Sequence, residues 1–145
     1  MNVRKRLGAV AALLGTTVTG MVVATGTAQA APSAAAAAYN GGCGSGYSVI
    51  DSKNVGDGTV YLTYNGSTGY NCVVTVSNYP GTSLYMQAAL RLSRNDAVWN
   101  SSERDDGYYS YYAGPVHKYA AGSCVDWGGA VDSNYLQIDY DDHCG

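Results

Sequence analysis

The clearest signal along the chain is a two-residue rhythm at residues 84–93. Leu84, Met86, Ala88, Leu90 and Leu92 fall on one side, and Tyr85, Gln87, Ala89, Arg91 and Ser93 on the other. Successive side chains of a strand point to opposite faces, so this alternation predicts a strand with one face toward a core. The segment also contains good helix formers, but period two persists throughout it and outweighs propensity. The rhythm recurs at residues 59–65, where Val60, Leu62 and Tyr64 share a face. It recurs again at Tyr70–Ser77, where Cys72, Val74 and Val76 do. That second set points the Cys72 sulfur into the core.

Shorter runs at residues 47–51, 123–131 and 135–140 also read as strands. Residues 108–112 and 116–120 read as one strand bent at Gly114-Pro115. Clusters of Gly, Asn, Asp and Ser at residues 54–58, 66–69 and 132–134 supply turns. Residues 95–107 are polar and acidic, and most of them are expected to form a long loop. About seven to eight short strands with frequent turns imply an all-β fold, an antiparallel β-sandwich or a small closed barrel.

The first thirty residues have a different character. Arg4, Lys5 and Arg6 precede an apolar stretch from Leu7 to about Ala24, and Ala28-Gln29-Ala30 supplies a small-x-small cleavage site. These are the three parts of a secretory signal, with cleavage expected after Ala30. Gly15, Thr16, Thr17, Thr19 and Gly20 interrupt the apolar stretch, which argues against a spanning anchor. Residues 31–38 are Ala-rich and too short to hold a helix alone, so they read as a flexible tail. Residues 39–145 form the expected single domain, and the exported protein is expected not to span a membrane.

Export changes the charge. Beyond residue 30 there are five Lys and Arg against eleven Asp and Glu, a formal charge of −6. Such a body repels polyphosphate chains, so no nucleic-acid partner is expected. It leaves cationic partners and neutral polysaccharide open.

Export also changes the meaning of the cysteines. Four cysteines in a short exported chain read as a disulfide framework. Cys43 and Cys72 bracket one strand pair, and Cys124 and Cys144 bracket another. Local pairing, Cys43–Cys72 and Cys124–Cys144, is therefore favoured among the three connectivities that four cysteines allow. The cysteines lack C-x-x-C spacing and should be oxidised outside the cell, so no metal site is expected from them.

Candidate chemistry is sparse. The two histidines, His117 and His143, have no nucleophile context such as G-x-S-x-G, and both read as surface or capping groups. Carboxylates cluster at Glu103, Asp105 and Asp106, and at Asp139, Asp141 and Asp142. Glycoside hydrolysis needs a carboxylate pair at a defined separation, which loops seldom hold. Residues 139–142 with Asn95 and Asp96 offer oxygen ligands for calcium, but no EF-hand or nonapeptide repeat organises them. No catalytic residue and no cofactor is assigned.

Aromatics carry more weight, because fourteen tyrosines stand where phenylalanine is absent. Tyr108, Tyr109, Tyr111 and Tyr112 surround Ser110, so on one strand their rings would point to both faces. The expected candidate binding surface is the exposed part of this set, together with Trp99 and Trp127.

Several strings in order, YNGGCGSGYSVI, GTVYLTYN, GYNCVVTV, YYAGPV, GSCVDWGG and the closing Cys-Gly, resemble the spore-associated protein A family of small secreted actinobacterial proteins. The likeness runs from about Tyr39 to Gly145. It implies an exported protein found with the spore surface and carries no enzymatic activity. The expected function is thus a non-enzymatic coat or adhesion role at the spore or cell-wall surface. A secreted protease inhibitor is the first alternative, with candidate loops at residues 78–83 and 95–107. A carbohydrate-binding module using the tyrosine strand is the second.

Overall fold

The computed structural model of the chain describes residues 38–145. The expected secretory signal and residues 31–37 of the tail lie outside the described residues. Eight strands follow in order: β1 Ser48–Asn54, β2 Gly58–Asn65, β3 Tyr70–Ser77, β4 Leu84–Leu92, β5 Arg104–Tyr109, β6 Tyr112–Tyr119, β7 Val125–Val131 and β8 Gln137–Asp142. They form two four-stranded sheets ordered β1-β2-β3-β6 and β5-β4-β7-β8. All neighbouring strands are antiparallel. The architecture is a sandwich and is not closed into a barrel, because β1, β6, β5 and β8 remain sheet margins.

Alternation explains the interior. Val60 and Leu62 from β2, Val73 from β3, Met86, Ala88 and Leu90 from β4, and Val125, Trp127 and Val131 from β7 make one apolar cluster between the sheets. Val55, at the β1–β2 turn, is fully buried in it. Its carbonyl accepts from the Val131 N–H at 3.1 Å, which docks the turn onto the other sheet. The sheets touch directly where the Thr75 hydroxyl donates to the Gln87 carbonyl at 2.8 Å. A Cβ at Gly129 would lie 2.3 Å from that Thr75 oxygen, so this approach requires glycine.

The outer face of each sheet is covered as well. On β3, Cys72, Val74 and Val76 point away from the sandwich interior and form a second cluster with Cys43, against which Tyr39, Tyr47 and Tyr61 pack. The expectation that the Cys72 sulfur enters the main core is therefore corrected. β3 is buried on both faces from Asn71 to Ser77, so alternation could not distinguish its interior side. Cys43 is bonded to Cys72, and this bond fastens the preceding segment over the sheet. A second bond joins Cys124 and Cys144 across the β7–β8 pair.

On the opposite sheet the covering is ionic. Arg91 and Asp126 sit opposite each other on β4 and β7 and point outward, yet both are almost completely buried. The segment between β4 and β5 lies over them: Arg91 Nε donates to Asp126 at 2.8 Å and Arg91 Nη2 to the Asp96 carbonyl at 2.7 Å. The guanidinium also stacks 4.3 Å from the Trp99 ring centroid.

Most of residues 95–107 is loop, as expected, but it contains a 3-10 turn at Ser101–Glu103 and its last residues, from Arg104, belong to β5. Residues 108–112 are not one strand, and that expectation is corrected. Tyr108 and Tyr109 end β5 in one sheet, whereas Tyr112 opens β6 in the other. The chain crosses between sheets at Ser110 and Tyr111. The bend expected at Gly114-Pro115 is a bulge within β6, where the β3–β6 register shifts between Val73 and Thr75.

Candidate functional site

The crossover from β5 to β6 gathers the tyrosines. Asp105, near the start of β5, clips it together: its Oδ1 accepts from the Tyr109 hydroxyl at 2.6 Å and its Oδ2 from the Gly114 N–H at 2.7 Å. The Asp105 hydrogen bond, aided by burial, pushes the Tyr109 hydroxyl up to about 12. Tyr109 stays neutral at any physiological pH and remains a donor. The turn itself is held from β3 and the segment after it: Ser77 N–H donates to the Tyr111 carbonyl at 3.0 Å, and Gly81 N–H to the Ser110 carbonyl at 2.7 Å.

This scaffold holds three tyrosine side chains outward. Tyr108 is 76% exposed, Tyr111 61% and Tyr112 39%. Tyr109, Ser110, Tyr111, Tyr112 and Gly114 line a groove of about 280 Å³. Tyr108 meets Tyr85 edge-on with ring centroids 5.5 Å apart. The Tyr85 hydroxyl donates to Asp106 at 3.1 Å, and this bond raises the Tyr85 pKa above its ordinary value. Tyr111 and Tyr112 at the groove, and Tyr108 with Tyr85 and Asp106 beside it, thus present ring faces suited to stacking and hydrogen bonding with neutral polyhydroxyl chains.

The six aromatics named from sequence do not come together. Tyr109 packs against the main core. Trp127 is buried within it, 1% exposed, and its indole N–H donates to Asp142 at 2.9 Å. Trp99 is engaged with Arg91 on the outer side of the second sheet. Of the six, Tyr108, Tyr111 and Tyr112 are exposed; Tyr108 pairs with Tyr85 on the outer side of the second sheet, whereas Tyr112 pairs with Val76 on the outer side of the first. Tyr85 and Asp106 were missed, because they come beside Tyr108 only through the β4–β5 pairing of Tyr85 with Tyr108 and Gln87 with Asp106.

The acidic groups are similarly occupied. Both Glu103 oxygens accept from Arg94, at 2.6 and 2.8 Å, and one also accepts the Asn100 N–H at 2.9 Å. Arg94 chiefly, with Asn100, lowers the Glu103 carboxyl to about 2 in spite of burial. Burial works against the Asp126 carboxylate, but the Ser93 hydroxyl, the Asp141 N–H and Arg91 hold it below its ordinary range. His117 lies exposed on β6, with its ring 5.5 Å from that of Tyr47.

Comparison with known proteins agrees with the sequence resemblance. No family model and no solved structure matches the chain. Over 140 residues it is 44% identical to "Spore-associated protein A" of Streptomyces coelicolor, covering 96% of this chain and 88% of that protein. No described helix is long and apolar enough to cross a membrane. Identity at this level across nearly the whole of both chains shows that the chain belongs to the spore-associated protein A family.

Proposed function

We propose that this protein is exported and acts without turnover at the spore or cell-envelope surface, as a coat or adhesion protein. The observation that carries the reading is the 44% identity across nearly the whole chain to a protein named for its association with spores. Two disulfides fit an oxidising compartment. A sandwich covered on both outer faces suits a part that must persist outside the cell. In this reading Tyr108, Tyr111 and Tyr112 form the contact surface, and neutral wall polysaccharide is the partner that ring stacking favours.

Fractionation of a sporulating culture with an antibody to the mature domain tests the role. The expected result is antigen on intact spores, released by mild detergent or salt. Antigen confined to the cytosol or to the cell-free medium would overturn it. Retention on purified wall, lost when Tyr108, Tyr111 and Tyr112 are changed to Ala, tests the surface separately.

A protease-inhibitor reading has one observation in its favour. Val98 is 66% exposed, and its carbonyl accepts from both Arg91 and Arg94, which holds the loop around it in one conformation. Nanomolar inhibition of a secreted protease, abolished by Val98→Glu, would support that reading over a coat role.

A further inference from the structure

The sheet margin opposite the tyrosine crossover brings together β1 of one sheet and β8 of the other. Positions on β1 that point toward the sandwich interior are apolar in a buried strand, but here they are Asp51 and Lys53, opposite Leu62 and Val60. Both reach across the gap. Lys53 pairs with Asp139 of β8. Asp51 Oδ2 lies 3.0 Å from His143 Nε2, and the same nitrogen lies 3.5 Å from Asp142 Oδ2.

We propose that Asp51, Asp142 and His143 bind a divalent transition metal of the Zn²⁺ type, which clasps the two sheets at this margin. The three donor atoms lie within 4.8 Å of one another. Tetrahedral zinc with bonds near 2.0 Å places neighbouring ligand atoms about 3.3 Å apart. The two imidazole–carboxylate separations, 3.0 and 3.5 Å, bracket that spacing.

The donor set fits the ion in kind and charge. One imidazole nitrogen and two carboxylate oxygens are zinc ligands, and two carboxylates balance its charge. Calcium would need six to eight oxygens, which this set does not supply.

Each carboxylate is aimed by a bond to its other oxygen: Ser52 N–H donates to Asp51 Oδ1 at 2.6 Å and His143 N–H to Asp142 Oδ1 at 2.9 Å. Trp127, from inside the core, donates its indole N–H to the Asp142 oxygen that faces the site. Such outer partners fix ligand orientation in metal sites. His143 also lines a cleft of about 310 Å³ bounded by Ile50, Tyr64, Asn71 and Ala120. A three-ligand zinc site takes a water or small ligand as its fourth ligand, and all three donors here are partly open to solvent. This inference does not depend on a coat or adhesion role.

Calorimetric titration of the oxidised chain with ZnCl₂, paired with thermal unfolding, tests it. The expected result is one Zn²⁺ per chain at micromolar affinity or tighter, and a Tm rise of about 5 °C or more at hundredfold excess over Kd. Asp51→Asn and His143→Gln should each weaken binding at least tenfold. Far-UV circular dichroism identifies folded variants, and either substitution alone suffices. Lys53→Gln, at the same margin but outside the ligand set, should bind zinc as the parent does. Replacement by Co²⁺ should give the visible absorption of a tetrahedral site, lost in the same two variants. No binding at millimolar zinc, or binding that folded Asp51→Asn and His143→Gln retain unchanged, would overturn the proposal.

Discussion

The two sheets meet the same requirement, covering an outer face, with opposite chemistry. On the β1-β2-β3-β6 sheet the cover is residues 39–47, held by one covalent bond and by packing of Tyr39 and Tyr47 against the cluster that contains Val74 and Val76. On the β5-β4-β7-β8 sheet it is the 95–103 segment, held by Arg91 and Arg94 through carboxylates, carbonyls and one aromatic ring. A disulfide acts mainly by restricting the unfolded chain and is indifferent to pH and salt. An ion-pair network acts in the folded state and depends on every partner being present and charged. One fold thus carries one cover that is sensitive to the loss of a bond and another that is sensitive to protons.

The largest effect is expected at the ionic cover. Arg91→Ala removes a fully buried guanidinium and leaves the Asp126 carboxylate buried without it, so chemical denaturation should show a loss of about 3–5 kcal/mol. Replacing both Cys43 and Cys72 by Ala should cost about 2–4 kcal/mol in the same measurement. A smaller loss after Arg91→Ala than after the cysteine replacement would reverse the ranking of the two covers.

Acid should separate the covers without mutation. The Glu103 carboxyl falls from an ordinary value of 4.5 to about 2 in the fold. A group whose folded pKa is depressed contributes stability that is fully present above its unfolded pKa. The Glu103 contribution is therefore complete above about pH 4.5 and is lost as pH falls through about 2. Denaturation midpoints of the parent should drop over this window, and those of Glu103→Gln should drop less. The smallest effect is expected at the crossover surface. Tyr108→Ala should change stability by no more than about 0.5 kcal/mol while reducing retention on purified wall, because its ring is mostly in solvent.

The same contrast explains what could be read in advance. β2, β4 and β7 announce themselves because apolar side chains alternate along them, and their inward sets do form the core. β5 does not. Its sequence, RDDGYY, has no apolar alternation, because it is a margin strand fixed by Asp105, which accepts from both the Tyr109 hydroxyl and the Gly114 N–H. The break between Tyr109 and Tyr112 is equally silent, since four tyrosines around a serine fit one strand or two.

Cys72 misled for a related reason: period two locates a face but cannot say which of two buried faces is the interior. For the Asp51, Asp142 and His143 grouping, the acidic end of the chain was visible but nothing local tied Asp51 to it. Asp51 lies ninety-two residues from His143 and meets it only when two sheet margins are brought together. Trp127 fell on the wrong side of the expectation because its ring enters the core opposite Leu90.

Hydrogen–deuterium exchange on the parent and on the Cys43→Ala/Cys72→Ala variant tests most directly whether the two covers are held independently. Rates are corrected for the intrinsic effect of pH. At neutral pH the variant should lose protection across residues 39–47 and keep it at the Asn100 and Glu103 amides. The parent, taken from pH 5 toward pH 2, should lose protection at Asn100 and Glu103 first and keep it across residues 39–47. Simultaneous loss at both segments under either treatment would contradict the account.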